Sequence, residues 1–276
     1  MNFRISLTLL ATVSATSVTL AADSGITPFA FETLASRSAS FDHAAFIYPA
    51  ENERAGQVNP HAGDVRLDGV IIDGALVPAS KFQVVTGANI VTDDATDTKR
   101  GGGNIAAGYG IGADLDPLVG EGVGSTTPTA ADIVSNQGNL NLSSIIAVRE
   151  GVGTAIYEVS FDQPTDRLLL WERGNSGDVQ VDAIDGSGAV VGSLLVLDGA
   201  DDADKPSTYT PTGIVVTTFV QDGFLNQGQE LSSVGLKLDT AAKTFRFTVL
   251  QEAEGAGAVR YNGPDLKILA LAPAST

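Results

Sequence analysis

The sequence predicts an all-β protein, a β-sandwich or jelly-roll-like arrangement of antiparallel sheets with a long glycine-rich loop and at most one or two short helices. Three observations predict this fold class. Apolar residues alternate with polar ones over several short runs after residue 140, as in strands that cover a core on one side. Turn-forming residues separate the runs, and no long helical pattern lies between them.

The clearest strand signals lie in the C-terminal half. The alternating runs are Tyr157–Phe161, Val179–Ala183, Val234–Leu238 and Phe245–Val249. Continuous apolar runs predict more deeply buried strands, and these are Leu168–Trp171, Leu194–Leu197 and Ile214–Val216. The segment Asp185–Gly188 predicts a hairpin turn because Asp-Gly tolerates positive φ, and corners are expected at 162–166 and 239–242.

The first half of the chain has weaker signals. Strands are expected at Phe29–Leu34, Phe41–Tyr48, Val65–Ile72 and Lys81–Thr92. Residues 93–125 contain three glycine-rich groups and predict a long loop, a feature that is usually functional or mobile in a compact domain. A short helix is expected from Thr127 to Val134, with Thr127 as its cap and Pro128 in its first turn.

The first 21 residues predict a cleaved signal peptide. One positive charge at Arg4 precedes an uncharged stretch from Ile5 to Leu20, and the small residue Ala21 ends it. A spanning helix needs roughly 20 predominantly apolar residues, more than this stretch provides. We therefore expect a secreted protein in which residues 22–276 form one β-sandwich domain, with a looser part over 22–135 and core strands over 140–272.

The net charge and the absence of cysteine exclude several classes of partner and of site chemistry. The net charge of −17 repels phosphate backbones and anionic membrane surfaces, so nucleic acid is not an expected partner. Without cysteine, the chain has no disulfide, no thiolate metal site and no cysteine nucleophile. No later segment is long and apolar enough to span a membrane, so we expect no membrane anchor in the mature chain.

Three stretches of the C-terminal half resemble a known family. Leu168–Asp185 reads LLLWERGNSGDVQVDAID, Val234–Leu236 reads VGL, and Gly263–Ala270 reads GPDLKILA. They resemble bacterial exosortase-dependent surface proteins, which have an apolar strand, a W/F-E-R-G turn and a closing G-P-D-[FL]-K strand. The resemblance implies a β-rich protein of the cell surface or matrix, with no catalytic residues to carry over. Residues 270–276 carry neither a sorting motif nor an anchor helix, which favours release into the medium.

Aspartate-rich loops are the candidates for a metal site. Calcium takes about six to eight oxygen ligands, which flexible loops can supply. The candidate calcium ligands are Asp198, Asp201, Asp202 and Asp204. A second group contains Asp93, Asp94 and Asp97, and Asp114 and Asp116 flank the glycine region. Neither group has the EF-hand spacing, and a solvated acidic loop is the alternative interpretation.

One segment has the residue types of a serine protease. Ser176 lies in the Gly-Asn-Ser-Gly-Asp segment 174–178, and His43 and His61 precede it with aspartates between. The same Gly, Asn and Ser residues equally predict a turn between two strands, for backbone reasons alone. Two histidines are too few for a multi-histidine zinc site. The sequence therefore predicts no catalytic residue.

Carboxylate and aromatic side chains are candidates for contact with a sugar. Glu158, Glu172 and Asp182 lie on or beside strands. A glycosidase requires two such acids, but nothing local singles out an acid and a nucleophile, and solvated or ion-paired side chains are the simpler interpretation. The aromatic candidates for stacking on a sugar are Trp171, Tyr109, Tyr209 and Tyr261. Trp171 lies inside an apolar run, which favours a core position.

Three functions are compatible with these features. The first is a secreted, non-catalytic surface or matrix protein, with extracellular polysaccharide or matrix components as partners. The second is an extracellular carbohydrate-binding module or a calcium-dependent binding module, since sandwich loops commonly host such sites. The third is a secreted hydrolase, for which no acid, base and nucleophile set is evident.

Overall fold

Strands dominate the described part of the chain. The structure is a computed structural model, and it describes residues 25–37, 47, 55–93, 105–108, 122–148, 153–174, 177–197, 207–219, 228–251 and 263–272. The predicted signal peptide, 1–21, lies outside these residues, as do most of the predicted strand 41–48 and most of the glycine-rich loop. The chain is all-β, as predicted, with large antiparallel sheets in a sandwich-like arrangement.

The strands and the α-helix of the described residues follow in chain order. They are β1 (Ile26–Phe29), β2 (Glu32–Arg37), β3 (Val65–Ile72), β4 (Ala75–Pro78), β5 (Phe82–Gln83), β6 (Gly87–Asp93), β7 (Ile105–Gly108), α1 (Ala130–Gln137), β8 (Ile145–Val148), β9 (Gly153–Arg173), β10 (Val179–Ile184), β11 (Val190–Val196), β12 (Thr210–Thr217), β13 (Gly228–Gln251) and β14 (Asp265–Leu271). A 3-10 turn over Ala79–Lys81 precedes β5.

The two longest strands, β9 and β13, organise the fold. They pair antiparallel in two segments, from the Leu231–Arg173 pair to the Lys237–Arg167 pair and from the Thr244–Ser160 pair to the Gln251–Gly153 pair. Their register shifts around Thr165 and Ala242. The corners predicted at 162–166 and 239–242 are therefore irregularities inside two continuous strands, not reversals of the chain.

These irregularities divide the 11-stranded sheet into two layers. The outer layer contains the first half of β9 and the second half of β13, with β6 on one side and β10 and β11 on the other. The middle layer contains the other halves of β9 and β13 together with β14, β8, β7, β5, β1 and β12. The three-stranded sheet β2-β3-β4 forms a third layer, the small sheet.

One core lies between the outer and middle layers. It takes the apolar residues of all four alternating runs, so the inward face predicted for each run is confirmed. Tyr157 stacks on Phe247 with ring centroids 5.2 Å apart, and Phe161 meets Phe245 edge to face. Helix α1 contacts β6 of the outer layer and β7, β8 and β14 of the middle layer, which closes one end of this core.

A second core lies between the middle layer and the small sheet. Phe31 packs edge to face on Trp171 at 5.3 Å, and the Trp171 indole N–H donates to Thr33 Oγ1 at 2.9 Å. The middle layer is thus covered on both faces, which explains why Leu168–Trp171 is continuously apolar. The same prediction is wrong for Leu194–Leu197, because β11 is an edge strand with one face outward and Leu195 is 40 % exposed.

The helix begins two residues later than predicted. Thr129, not Thr127, is the N-cap: its hydroxyl accepts from the Asp132 N–H, and the Asp132 carboxylate accepts from the Thr129 N–H at 2.7 Å. This reciprocal capping box satisfies two backbone donors, so it fixes the start more strongly than Pro128 does. Among the described residues, no helix has the length and apolar character needed to cross a membrane.

The predicted hairpin at Asp185–Gly188 joins β10 and β11. Hydrogen bonds from the Ser187 hydroxyl and from the backbone N–H groups of Ala189 and Ser187 lower the pKa of Asp185. Gly188 has φ +86°, a conformation that glycine adopts without strain. Asp185 thus accepts hydrogen bonds from the backbone N–H groups of the turn, and Gly188 allows its positive φ.

Candidate functional site

Most of the stretches that resemble surface proteins are neighbouring strands in the middle layer, namely the end of β9, Val234–Leu236 in β13 and the start of β14, whereas Val179–Ile184 is β10 of the outer layer. The end of β9 pairs with the start of β14, with Leu266 opposite Glu172 and Lys267 opposite Trp171. Four residues of charged types lie on these two paired segments, which we call the signature junction: Glu172, Arg173, Asp265 and Lys267. Charged residues of these types are almost never fully buried unless they are paired, so their partners matter.

An ion pair joins the two strands of the signature junction. Arg173 Nη2 lies 2.6 Å from Asp265 Oδ2, and the Arg173 side chain is only 1 % exposed. Glu172 is also buried, and the backbone N–H of Asp265 points to its Oε1 at 3.5 Å. These contacts tie the WERG end of β9 to the GPDLK start of β14.

Lys267 ties the same strand to the end of helix α1. Its Nζ donates to Asn136 O at 2.7 Å and to Asn139 Oδ1 at 2.8 Å. The Gln137 side chain bonds the backbone of β14 on both sides of Lys267, at Leu266 O and Ile268 N. Complete burial lowers the pKa of the Lys267 ammonium well below its ordinary value, since desolvation disfavours the charged form.

The signature junction holds strands together and lies inside the protein. Burial and, second, the charge of Asp265 raise the pKa of the Tyr157 phenol in the outer layer. All four junction residues are at most 9 % exposed. The side chains of Glu172, Arg173 and Lys267 are therefore closed to a substrate in solvent, and 13 % of the Asp265 side chain is exposed.

A second group of polar side chains lies on the solvent side of the outer layer. Five residues from five adjacent strands form one line across the sheet, which we call the outer row: Asn89, Glu158, Arg246, Asp182 and Ser193. Each is the direct cross-strand partner of the next. Side chains directly opposite each other on one face lie close enough to interact, so the row is a continuous polar strip.

Hydrogen bonds link the outer row internally. Glu158 Oε1 accepts from Arg246 Nη2 at 2.7 Å and from Nε at 3.0 Å, and Glu158 Oε2 accepts from Asn89 at 3.4 Å. Asp182 Oδ1 accepts from the Ser193 hydroxyl at 2.6 Å and from Gln180 at 3.2 Å.

The outer row is open to solvent. Asn89 is exposed, and the other four residues are half-buried. Its carboxylates, amide, guanidinium and hydroxyl therefore remain accessible on an otherwise ordered surface. Such groups can bind a polar ligand without a change in the backbone.

The structure separates the three carboxylates that the sequence suggested for a glycosidase. Glu158 and Asp182 share the outer row, with Arg246 between them, whereas Glu172 belongs to the buried signature junction. Glu158 is paired with a cross-strand arginine, which is the simpler interpretation given above. The arginine is Arg246, a residue that sequence reasoning had not singled out.

The protease candidates fall mostly outside the described residues. Ser176 and His43 are not among them. His61 lies beside an open groove of about 500 Å³, where Arg37 Nη1 donates to its backbone carbonyl at 3.2 Å. The protease interpretation stays untested by this geometry.

The calcium candidates also lie largely outside the description. Asp198, Asp201, Asp202 and Asp204 are outside it, as are Asp94, Asp97, Asp114 and Asp116. Asp93 is described, and its Oδ1 accepts from the Ile105 N–H at 3.1 Å, which joins the start of β7 to the end of β6. Within the described ranges, no group of three or more acidic or histidine residues is placed to hold a metal. The calcium site at 198–204 stays a prediction.

Aromatic stacking on a sugar is not available at the two described candidates. Trp171 is fully buried, as its apolar surroundings predicted, and Tyr209 is 5 % exposed. Tyr109 and Tyr261 lie outside the described residues.

Comparison with known proteins gives no relative. No protein-family model matches the chain, and no curated protein and no solved structure is significantly similar to it.

Proposed function

We propose that the chain is a secreted, non-catalytic protein of the bacterial cell surface or extracellular matrix. The observation that carries this proposal is the burial of the signature junction. The charged residues of the stretches that resemble surface proteins join β9, β14 and α1 inside the protein. Because these residues hold strands and the helix together inside the protein, the sequence pattern that resembles surface proteins specifies the fold. This supports a structural function and not a catalytic one.

The composition supports export. A signal peptide over 1–21 would deliver a chain without cysteine, whose stability outside the cell is independent of redox state. The net charge of −17 favours solubility and suits an environment rich in salt or divalent cations.

Export is tested by expressing the full chain in a bacterium and separating cytosol, cell surface and medium. We expect the mature chain at the surface or in the medium, with an N-terminus at Ala22 or Asp23. Leu10→Arg places a charge in the apolar stretch and should leave uncut precursor in the cytosol, whereas Leu10→Ile should be exported normally. Uncut wild-type precursor in the cytosol would contradict the proposal.

The non-catalytic part of the proposal is tested with a fluorophosphonate probe and with glycosidase substrates. We expect no labelling and no turnover by the purified mature chain. Labelling of the wild type but not of Ser176→Ala would show a serine hydrolase. Turnover that disappears in Glu158→Gln would show a glycosidase.

A binding module is the second candidate, and the accessible outer row favours it. Calcium dependence rests on Asp198, Asp201, Asp202 and Asp204. Because a ligand that binds only the folded state raises its stability, millimolar calcium should raise the melting temperature. Replacing these four aspartates with asparagine should abolish the increase, and an unchanged melting temperature of the wild type would remove calcium from the account.

A further inference from the structure

We propose that the outer row is a contact surface for a neutral polysaccharide, which lies across the five strands. This inference rests on the proposed function, since it names the matrix component that the exported chain would hold. The binding surface is the outer row, whose five residues are brought together by strand pairing and were not predictable as one group from the sequence.

The first argument is geometric. The row runs perpendicular to the strands and is about 19 Å long, because neighbouring strands lie about 4.8 Å apart. Each strand contributes one polar residue, in the order Asn89, Glu158, Arg246, Asp182 and Ser193. A repeating, extended ligand matches such a strip better than a compact one does.

The second argument concerns hydrogen bonding. A sugar hydroxyl both donates and accepts, and pairs of neighbouring hydroxyls match the two oxygens of a carboxylate or the forked N–H groups of an arginine. Glu158 and Asp182 supply the acceptors, and Arg246 supplies five N–H donors, two of which bond Glu158. The row therefore offers both partners that a polyol requires.

The third argument is preorganisation. Arg246 is held by Glu158, while Gln180 and Ser193 hold Asp182. Side chains that are ordered before binding lose less conformational entropy when the ligand arrives. A row ordered in this way can bind through several modest contacts.

The fourth argument is charge. The row carries two negative groups and one positive group, in a chain of net charge −17. An acidic polymer would be repelled, and the row contains no large aromatic side chain of the kind that anchors protein interfaces. A ligand rich in hydroxyls and without net charge fits both conditions.

Native electrophoresis through gels that contain soluble polysaccharide tests the proposal. The probes are dextran, mannan and hydroxyethyl cellulose, with alginate as the acidic comparison. The mature wild type should be retarded by at least one neutral polymer. Arg246→Gln should weaken the retardation about tenfold or more, the ratio that corresponds to about 1.4 kcal/mol of lost binding. Asp182→Asn, in the same row, should also weaken it.

Arg66→Gln is the matched control. Arg66 is 36 % exposed, as Arg246 is, and lies 3.4 Å from Asp68 in the small sheet. The control should be retarded like the wild type. The proposal is overturned if no neutral polymer retards the wild type, if only alginate does, or if Arg246→Gln behaves like Arg66→Gln. A chain that is exported but binds no polysaccharide would leave the proposed function intact, whereas retained precursor would contradict that function whatever the binding result.

Discussion

Two arginine–carboxylate pairs of nearly equal length lie in opposite environments. Arg173 and Asp265 are 2.6 Å apart with side chains 1 % and 13 % exposed, whereas Arg246 and Glu158 are 2.7 Å apart with side chains 36 % and 20 % exposed. Inside the protein, removing one partner leaves the other as an unpaired buried charge, so loss of either side chain strongly destabilises the fold. At the surface, water or a ligand can replace either partner, so the pair can exchange contacts at little cost.

The largest effect is expected from breaking the buried pair. Arg173→Met leaves Asp265 as a buried carboxylate and should lower the free energy of unfolding by about 3–5 kcal/mol. Urea denaturation of the mature chain measures this change. The double variant Arg173→Met with Asp265→Leu should recover at least half of the loss, because it removes both charges. A single variant within about 1 kcal/mol of the wild type would contradict a structural role for the signature junction.

The middle layer should also resist added volume. Gly235 pairs with Phe29 of β1, and a Cβ at this glycine would overlap the Phe29 ring. Gly235→Ala should cost about 1–3 kcal/mol, as expected for overpacking. Gly186, in the exposed hairpin, has no heavy atom within 4 Å of an added Cβ and is the control. Gly186→Ala should change stability by less than about 0.5 kcal/mol, and equal losses for the two variants would contradict the close packing of β1.

The buried lysine should make stability depend on pH. Burial lowers the pKa of Lys267 below its ordinary value of 10.5. Between the folded and unfolded pKa values the unfolded chain binds one more proton, so stability rises with pH, by at most about 1.4 kcal/mol per unit. Above about pH 10 the raised pKa of Tyr157 acts in the opposite direction, so the rise in stability is expected below about pH 10.

Melting temperatures across this window measure the slope. Lys267→Met should flatten it, because the variant has no group to deprotonate at this position. Arg246→Gln should leave the slope unchanged, since Arg246 lies on the solvent side of the outer layer, away from Lys267 in the middle layer. Equal slopes in the wild type and Lys267→Met would assign the pH dependence to other groups.

The alternation of apolar and polar residues predicted which face of each strand is buried, but it did not predict which strands pair with each other. The alternation at Tyr157, Val159 and Phe161 depends only on the period of a strand, so the buried side was predictable. The exposure of Leu195 depends on β11 being an edge strand, which is a property of the whole sheet. The leucines of Leu168–Trp171 are buried and Leu195 is exposed because their strands have different positions in the sheet. Those positions depend on residues far away in the sequence.

The outer row shows the same limit at the candidate site. Glu158 and Asp182 were noticed as strand carboxylates, but they join one site only because β13 passes between β9 and β10. Arg246 lies 88 positions along the chain from Glu158. Its outward position was predictable from the alternation of Phe245 and Phe247, whereas its partner was not. The helix start is a local case, where the capping pair Thr129 and Asp132 outweighed Thr127 and Pro128.

The smallest effect on stability is expected at the exposed pair. Arg246→Gln should lower the free energy of unfolding by less than about 1 kcal/mol at low salt, because solvent screens the pair and the glutamine retains a donor. In about 1 M NaCl the difference from the wild type should shrink further, since the Debye length falls to about 3 Å. Urea denaturation at the two salt concentrations measures both values. A loss as large as that of Arg173→Met would show that the outer row stabilises the fold, and it would remove the contrast between the two pairs.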